Sequence, residues 1–302
     1  MNEADPGIAV VGSLNMDFVV RVPRLPGPGE TVSGEDVFRN PGGKGGNQAV
    51  AAARLGQRVA MVACVGDDDP GRTLLASLQA DGVRTEHVRV KPGKPTGAAF
   101  IAVGPDGENQ IVVSPGANRR LALNDVQAAG PILERAAVTL VQLEIPLETV
   151  AAAARAAKGI VVLNPAPART VDPDLLSLAD VVVPNQVELG QLAGEVVSGS
   201  FDEVARLARA LPARAVVVTL GRDGALVVRD DAVMPVPAVP VKAVDTTAAG
   251  DAFCGGLSDA LARGETLEDA TRWAVRVAGA ACTKPGAQAS LPRVDDLPPA
   301  PS

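Results

Sequence analysis

Two segments of this chain set small residues and a charged or amide side chain at the start of an apolar helix. The first is Val244-Asp245-Thr246-Thr247-Ala248-Ala249-Gly250-Asp251-Ala252-Phe253. Ala248, Ala249 and Gly250 would leave backbone N–H groups unobstructed at the positive end of a helix spanning about 251–262, an anion site suited to phosphoryl oxygens. Asp251 stands where a carboxylate would otherwise repel a phosphate. By itself it reads as a first-turn aspartate that stabilises its helix by ~1 kcal/mol. Beside an anion site it reads better as a base that accepts a hydroxyl proton. The second segment, Pro41-Gly42-Gly43-Lys44-Gly45-Gly46-Asn47, opens a helix expected over 47–55. Its glycines would bring backbone N–H groups close to a ligand, and Lys44 and Asn47 add polar contacts. The patterns G-x-x-x-x-G-K-[ST] and G-x-G-x-x-G in a strand–turn–helix setting are absent, which removes support for a P-loop ATPase or a nicotinamide-dependent dehydrogenase.

These residues need a frame. Short β-branched apolar runs at 8–11, 59–65, 138–143, 159–163, 180–183 and 215–220 read as buried strands. Helical stretches at 147–158, 175–178 and 202–210 alternate with the later ones. That alternation predicts an α/β fold of three layers, with a mostly parallel central sheet flanked by helices. Polar residues follow the strand ends: Asn15 and Asp17 after the first, then Glu144, Asn164, Asn185 and Gly221. In an open parallel sheet, ligands lie beyond those ends. Two segments, 14–40 and 96–114, break the rhythm with alternating patterns and turn signals such as Asp106-Gly107. They read as a small β-strand lid or as edge hairpins of the main sheet, and periodicity does not choose between the two.

Composition narrows the function. The net charge is −7 with 2% aromatic residues and no Tyr, which disfavours phosphate-backbone binding and base stacking, so no nucleic-acid partner is expected. Cys64, Cys254 and Cys282 are widely spaced and odd in number, and His87 is the single histidine, set among Arg and Glu in an expected surface loop. A disulfide framework or zinc site is therefore not expected, and a reducing cytoplasm is the expected setting. No apolar run approaches the ~20 residues of a membrane span. The chain reads as one domain over 1–302, with flexible tails at 1–6 and 297–302.

Eight segments, in order, resemble the ribokinase family of carbohydrate kinases. They are Gly12-Ser13-Leu14-Asn15-Met16-Asp17, Gly42-Gly43-Lys44-Gly45-Gly46-Asn47-Gln48-Ala49, Gln142-Leu143-Glu144, Asn164-Pro165-Ala166-Pro167-Ala168-Arg169, Pro184-Asn185-Gln186-Val187-Glu188, Thr219-Leu220-Gly221-Arg222-Asp223-Gly224, Asp245 through Asp251, and Lys284-Pro285-Gly286-Ala287-Gln288-Ala289-Ser290. The resemblance implies ATP-dependent transfer of a phosphoryl group to a sugar, with the 5-hydroxyl of D-ribose the expected acceptor. It implies that Asn15, Met16, Asp17, Gly43, Lys44, Gly45, Gly46, Asn47 and Glu144 hold the sugar. Asp251 would be the base beside an anion hole at Ala248, Ala249 and Gly250. Asn185, Thr219, Leu220, Gly221, Arg222, Asp223 and Gly224 would line the ATP cleft together with Gly250 and Asp251. Asn185 and Glu188 would organise Mg²⁺ through its waters. Asp245, Thr247, Ala281, Lys284, Gly286 and Ser290 would bind an activating monovalent cation, K⁺. A homodimer through the lid is also implied. Where the family usually places Asn or His beside the adenine, this chain has Val275. The alternatives are a related kinase for deoxyribose, a ketohexose or a nucleoside, and a non-catalytic sugar-binding regulator.

Overall fold

A computed structural model describes residues 7 to 297, apart from Ser198 and Asp231. Of the expected tails, 1–6 and 298–302 lie outside the described residues, while Leu297 is half-buried against the core. In chain order the described strands are β1 (Ile8–Val11), β2 (Asn15–Arg21), β3 (Phe38–Gly42), β4 (Val59–Gly66), β5 (Arg84–Lys91), β6 (Gly97–Val103), β7 (Asn109–Ser114), β8 (Val138–Val141), β9 (Ile160–Leu163), β10 (Val181–Val182), β11 (Ala215–Thr219), β12 (Ala225–Arg229) and β13 (Ala232–Val236). The described α-helices are α1 (Lys44–Arg54), α2 (Asp69–Ala80), α3 (Leu123–Ala128), α4 (Gly130–Arg135), α5 (Leu147–Ala156), α6 (Pro173–Leu176), α7 (Gln186–Ala193), α8 (Phe201–Arg209), α9 (Ala249–Ala262) and α10 (Leu267–Ala281).

Nine strands form one sheet in the order β13-β12-β11-β10-β9-β8-β1-β4-β5, parallel from β5 to β11 and antiparallel at β12 and β13. Every residue of β1, β4 and β8 is buried, as strands covered on both faces must be. Alternate residues feed two cores: Ile8 and Val10 pack with α1, α2, α9 and α10, whereas Ala9 and Val11 pack with α3 to α8. The layers are thus helix, sheet, helix. His87 lies within edge strand β5 and not in a loop, half-buried with its Nδ1 unpartnered. A one-residue irregularity in the pairing of β5 with β4 falls just before it, which blurs the alternation a strand would show in sequence.

The segments at 14–40 and 96–114 form a separate sheet, β3-β2-β6-β7, so the edge-hairpin alternative is excluded. Gly107 turns the β6–β7 hairpin with φ +81°. Asn118 binds this lid to the body: its side chain accepts from the Leu14 amide at 2.9 Å and donates to the Leu14 carbonyl at 3.1 Å and to Asn15 Oδ1 at 2.7 Å.

β1 pairs with β4 on one side and β8 on the other, so the chain reverses its direction of sheet growth at β1. A crevice opens where connections from such neighbours diverge. Two helix N-termini, those of α1 and α9, point into this region. The two helices pack closely at Gly255, in the middle of α9, where a β-carbon would lie 2.5 Å from Ala51 Cβ and 3.0 Å from the Gln48 carbonyl.

Candidate active site

Helix α1 starts at Lys44, three residues before the expected position, and takes Gly45 and Gly46 into its first turn. Glycine is a poor helix former, so packing must favour it here. A β-carbon at Gly45 would sit 2.6 Å from the Ser13 amide nitrogen, and one at Gly43, where φ is +86°, would sit 2.6 Å from that of Asn15. The glycines let the helix start press against the backbone leaving β1. The amides expected to face a ligand are instead consumed within the protein. Lys44 N–H donates to Glu144 at 3.1 Å, Gly45 N–H to Ser13 Oγ at 3.3 Å, and Gly46 N–H to the Ser13 carbonyl at 2.9 Å. Ser13 Oγ also donates to Glu144. Glu144, from the end of β8, therefore caps a helix a hundred residues away.

The sugar-binding candidates gather around this joint. Asn15 is buried, with its Oδ1 accepting from Asn118, which leaves its amide hydrogens for another acceptor. Asp17 faces Gly42 closely: a β-carbon there would lie 2.2 Å from a carboxylate oxygen. Its carboxylate accepts no hydrogen bond from a described residue, and burial, then Glu144 and Asp251, push its pKa up to about 7. Asn47 donates to Asp251, while its Oδ1 is buried without a partner, an acceptor open to a hydroxyl. The Met16 side chain lies in the core.

Asp251 is 6% exposed in the first turn of α9. Its Oδ2 accepts from Asn47 Nδ2 at 2.9 Å and its Oδ1 from Gln48 Nε2 at 3.0 Å. Ala248 caps the helix in the left-handed region, φ +59°, with no side-chain cap. Such a conformation is strained for alanine and recurs at ligand sites. Ala249 departs from expectation, because its N–H turns to the Thr246 carbonyl at 3.2 Å. A β-carbon at Gly250 would meet nothing within 4 Å, so the space beside it is open.

Two clefts of ≈ 190 and ≈ 460 Å³ share Thr219, Thr246, Ala249 and Gly250 in their walls and are two parts of one groove. The smaller is polar, walled by Lys44, Asn185, Glu188 and Asp251. Burial alone would push the Lys44 ammonium toward neutrality. The facing carboxylates of Asp251, Glu144 and Glu188 outweigh it and hold its pKa above the ordinary lysine value. Glu188 and Asn185 form a reciprocal cap, each side chain accepting from the other's amide at 2.8 Å. Burial raises the Glu188 pKa against the pull of that amide and of Lys44. The larger cleft is mostly apolar and includes Val239, Val241, Phe253 and Val275. Gly221, Arg222 and Gly224 line it, while Leu220 is buried behind it and Asp223 stands outside.

Asp245 joins two loops, accepting from the Thr247 amide at 2.9 Å and the Gly286 amide at 2.8 Å. Burial opposes its charge, but these bonds outweigh it and lower its pKa. Ser290 Oγ is buried and donates to the Ala287 carbonyl at 2.9 Å. Reading the sequence missed Ser13 and Asn118, which hydrogen-bond to Glu144 and Asn15, and the 238–243 wall of the larger cleft, whose small apolar residues give no chemical signal.

The chain matches a family model, pfkB family carbohydrate kinase, over residues 5–294. It is 40% identical over 290 residues to the ribokinase of Haemophilus influenzae, covering 94% of this chain and 95% of that one. It is 37% identical over 297 residues to the deoxyribokinase of Salmonella typhi, covering 96% and 97%. A solved structure of Arabidopsis thaliana ribokinase, complexed with ribose and ATP, matches with a TM-score of 0.88 at 30% identity over 97% of both chains.

Proposed function

The chain belongs to the pfkB family of carbohydrate kinases, and from that premise we propose that it transfers the γ-phosphoryl group of ATP to the 5-hydroxyl of D-ribose, yielding D-ribose 5-phosphate and ADP. One observation carries this reading. The Asp251 carboxylate is tied to Asn47, from the sugar loop, on one oxygen and lies in the wall of the polar cleft. It is thus shared by the acceptor side and the phosphate side of the groove.

In this reading Asn15, Asp17, Asn47 and Glu144 hold the sugar. Asp17 accepts from vicinal hydroxyls, which supply the donors its carboxylate lacks in the protein. Asp251 accepts the 5-hydroxyl proton and aims that oxygen at phosphorus. A carboxylate is a weak base, but a loose transition state needs little early deprotonation. The charged Lys44 and the amides around Gly250 face the moving phosphoryl oxygens. The adenine of ATP lies in the apolar cleft against Val275.

Two cations fit the donor sets present. Glu188 is buried in the cleft wall with only one oxygen accepting from a described residue, so it and Asn185 suit a hydrated Mg²⁺. A bound Mg²⁺ would supply charge that neutralises the terminal phosphates. Asp245 ties its loop to that of Gly286, and its carboxylate, Ser290 and the carbonyls of Thr247, Ala281, Lys284 and Gly286 would hold K⁺. Asp245 would pass its effect to the loop entering α9.

ADP release measured across D-ribose, 2-deoxy-D-ribose, ketohexoses and nucleosides, with and without K⁺, tests the substrate. The highest kcat/KM belongs to D-ribose, and a better substrate without vicinal hydroxyls would overturn the role of Asp17. Asp251→Asn lowers kcat by at least ~10²-fold with little change in sugar affinity. Near-normal turnover in that variant would end the assignment of the base. A homodimer through the lid is supported by its exposed apolar residues, among which Phe100 pairs with Val112. Val112→Asp then shifts sedimentation from dimer to monomer.

A further inference from the structure

We propose that Gln48, locked by Gln142, is a positioning residue that aims the Asp251 carboxylate. The inference rests on Asp251 being the base. Gln48 and Gln142 are both fully buried. They belong to a chain of amides whose direction is set at one end. The Val183 carbonyl can only accept, so Asn164 turns its Nδ2 to it at 2.9 Å. Asn164 Oδ1 is thereby left as an acceptor and takes a hydrogen from Gln48 Nε2 at 3.1 Å. Gln48 Oε1 in turn accepts from Gln142 Nε2 at 2.6 Å. With both ends of the Gln48 amide committed, its second N–H points at Asp251 Oδ1, 3.0 Å away.

A flipped Gln48 amide would set its oxygen against the carboxylate and against Asn164 Oδ1, and would set its NH₂ against that of Gln142. Three pairings would be lost at once in a site where unpaired polar groups are costly. The Asp251 carboxylate is therefore gripped on both oxygens, by Asn47 and by Gln48. The two grips differ in origin. Asn47 also presents an unpartnered Oδ1, whereas both ends of the Gln48 amide are satisfied by protein groups. The fit of Gln142 depends on Gly12, where a β-carbon would lie 1.9 Å from Gln142 Oε1.

The test is a double-mutant cycle on the full-length protein, with ADP release and sugar calorimetry as readouts. Gln48→Met keeps the volume and removes the amide. It lowers kcat by about 10- to 100-fold, with the KM for sugar and for ATP within about threefold of the parent. In an Asp251→Asn background the same substitution lowers kcat by less than about twofold, because the group it positions is already gone. Unchanged kcat in a folded Gln48→Met protein overturns the proposal, and so does an equal loss in both backgrounds. If Gln48→Met does not fold, Gln142→Met reads the chain one amide farther out. There kcat falls about 3- to 10-fold, and an unchanged kcat overturns the proposal. A silent Gln48→Met beside a crippled Asp251→Asn removes only this inference, whereas an active Asp251→Asn removes the base assignment with it.

Discussion

At the acceptor end of the groove, side chains from β1, β2, α1, β8 and α9 converge, and residues separated by about a hundred positions or more hydrogen-bond to one another: Ser13 and Lys44 to Glu144, Asn118 to Asn15, Asn47 and Gln48 to Asp251. At the nucleotide end the wall is small and apolar, with Val239, Val241, Ala278 and Val275 facing the cleft. In the proposed function one end holds its ligand by directional bonds fixed in advance, the other by shape. Directional bonds punish a missing partner far more than apolar contact punishes a missing methyl. The acceptor end should therefore be brittle and the nucleotide end forgiving.

Gly43→Ala is the hardest test of brittleness. A methyl group there must displace the backbone of Leu14 and Asn15 in a conformation unsuited to alanine. Sugar affinity measured by calorimetry falls by about 100-fold, equivalent to about 3 kcal/mol. Asp17→Asn follows. It lowers kcat/KM for D-ribose by about 10- to 100-fold, as loss of a charged acceptor for two hydroxyls should.

Asp17 also predicts a pH dependence. Its pKa in the sugar-free protein is raised to about 7 from 3.8, and hydroxyl donors prefer the ionised form. Sugar affinity is then full above pH 7 and weakens as pH falls through it, by about tenfold per unit at the limit. A flat profile in the parent between pH 5 and about 8 would refute this. The same raised pKa penalises the sugar-free fold, with the penalty full above about 7 and relieved as pH falls toward 3.8. Asp17→Asn should raise Tm at pH 8 and lose that advantage near about pH 4. Val275→Asn gives the smallest effect, a change in ATP KM of no more than about fivefold. A larger change would show that the nucleotide end also relies on directional contacts.

Strands β1, β4 and β8 to β11 were legible from their apolar β-branched runs, because a strand buried on both faces has no other composition open to it. The lid was legible only as a choice between two arrangements, since alternation reports a half-buried strand without saying which sheet holds it. Lys44, Asn47, Asp251 and Glu188 could be read as a site because motifs carry them. Their partners could not. Gln48 and Gln142 look like ordinary polar residues until β8 and α1 are brought together. The start of α1 was misplaced because glycine's low helix propensity is overridden by contact with the Ser13 backbone. The Ala249 amide looks free in the sequence because a bond to Thr246 three residues back leaves no trace in residue types.

Gly255 has a wider consequence. With no room between α9 and α1 at that position, the two helices cannot press closer together to suit a shorter acceptor. In the proposed function, the gap from the Asp251 carboxylate to the sugar floor then has a lower limit set by this helix contact. In that proposal, regiochemistry, the choice of which alcohol receives the phosphate, is bounded by the scaffold as well as by the pocket lining. Retuning the pocket lining would change which molecules enter while leaving that lower limit in place.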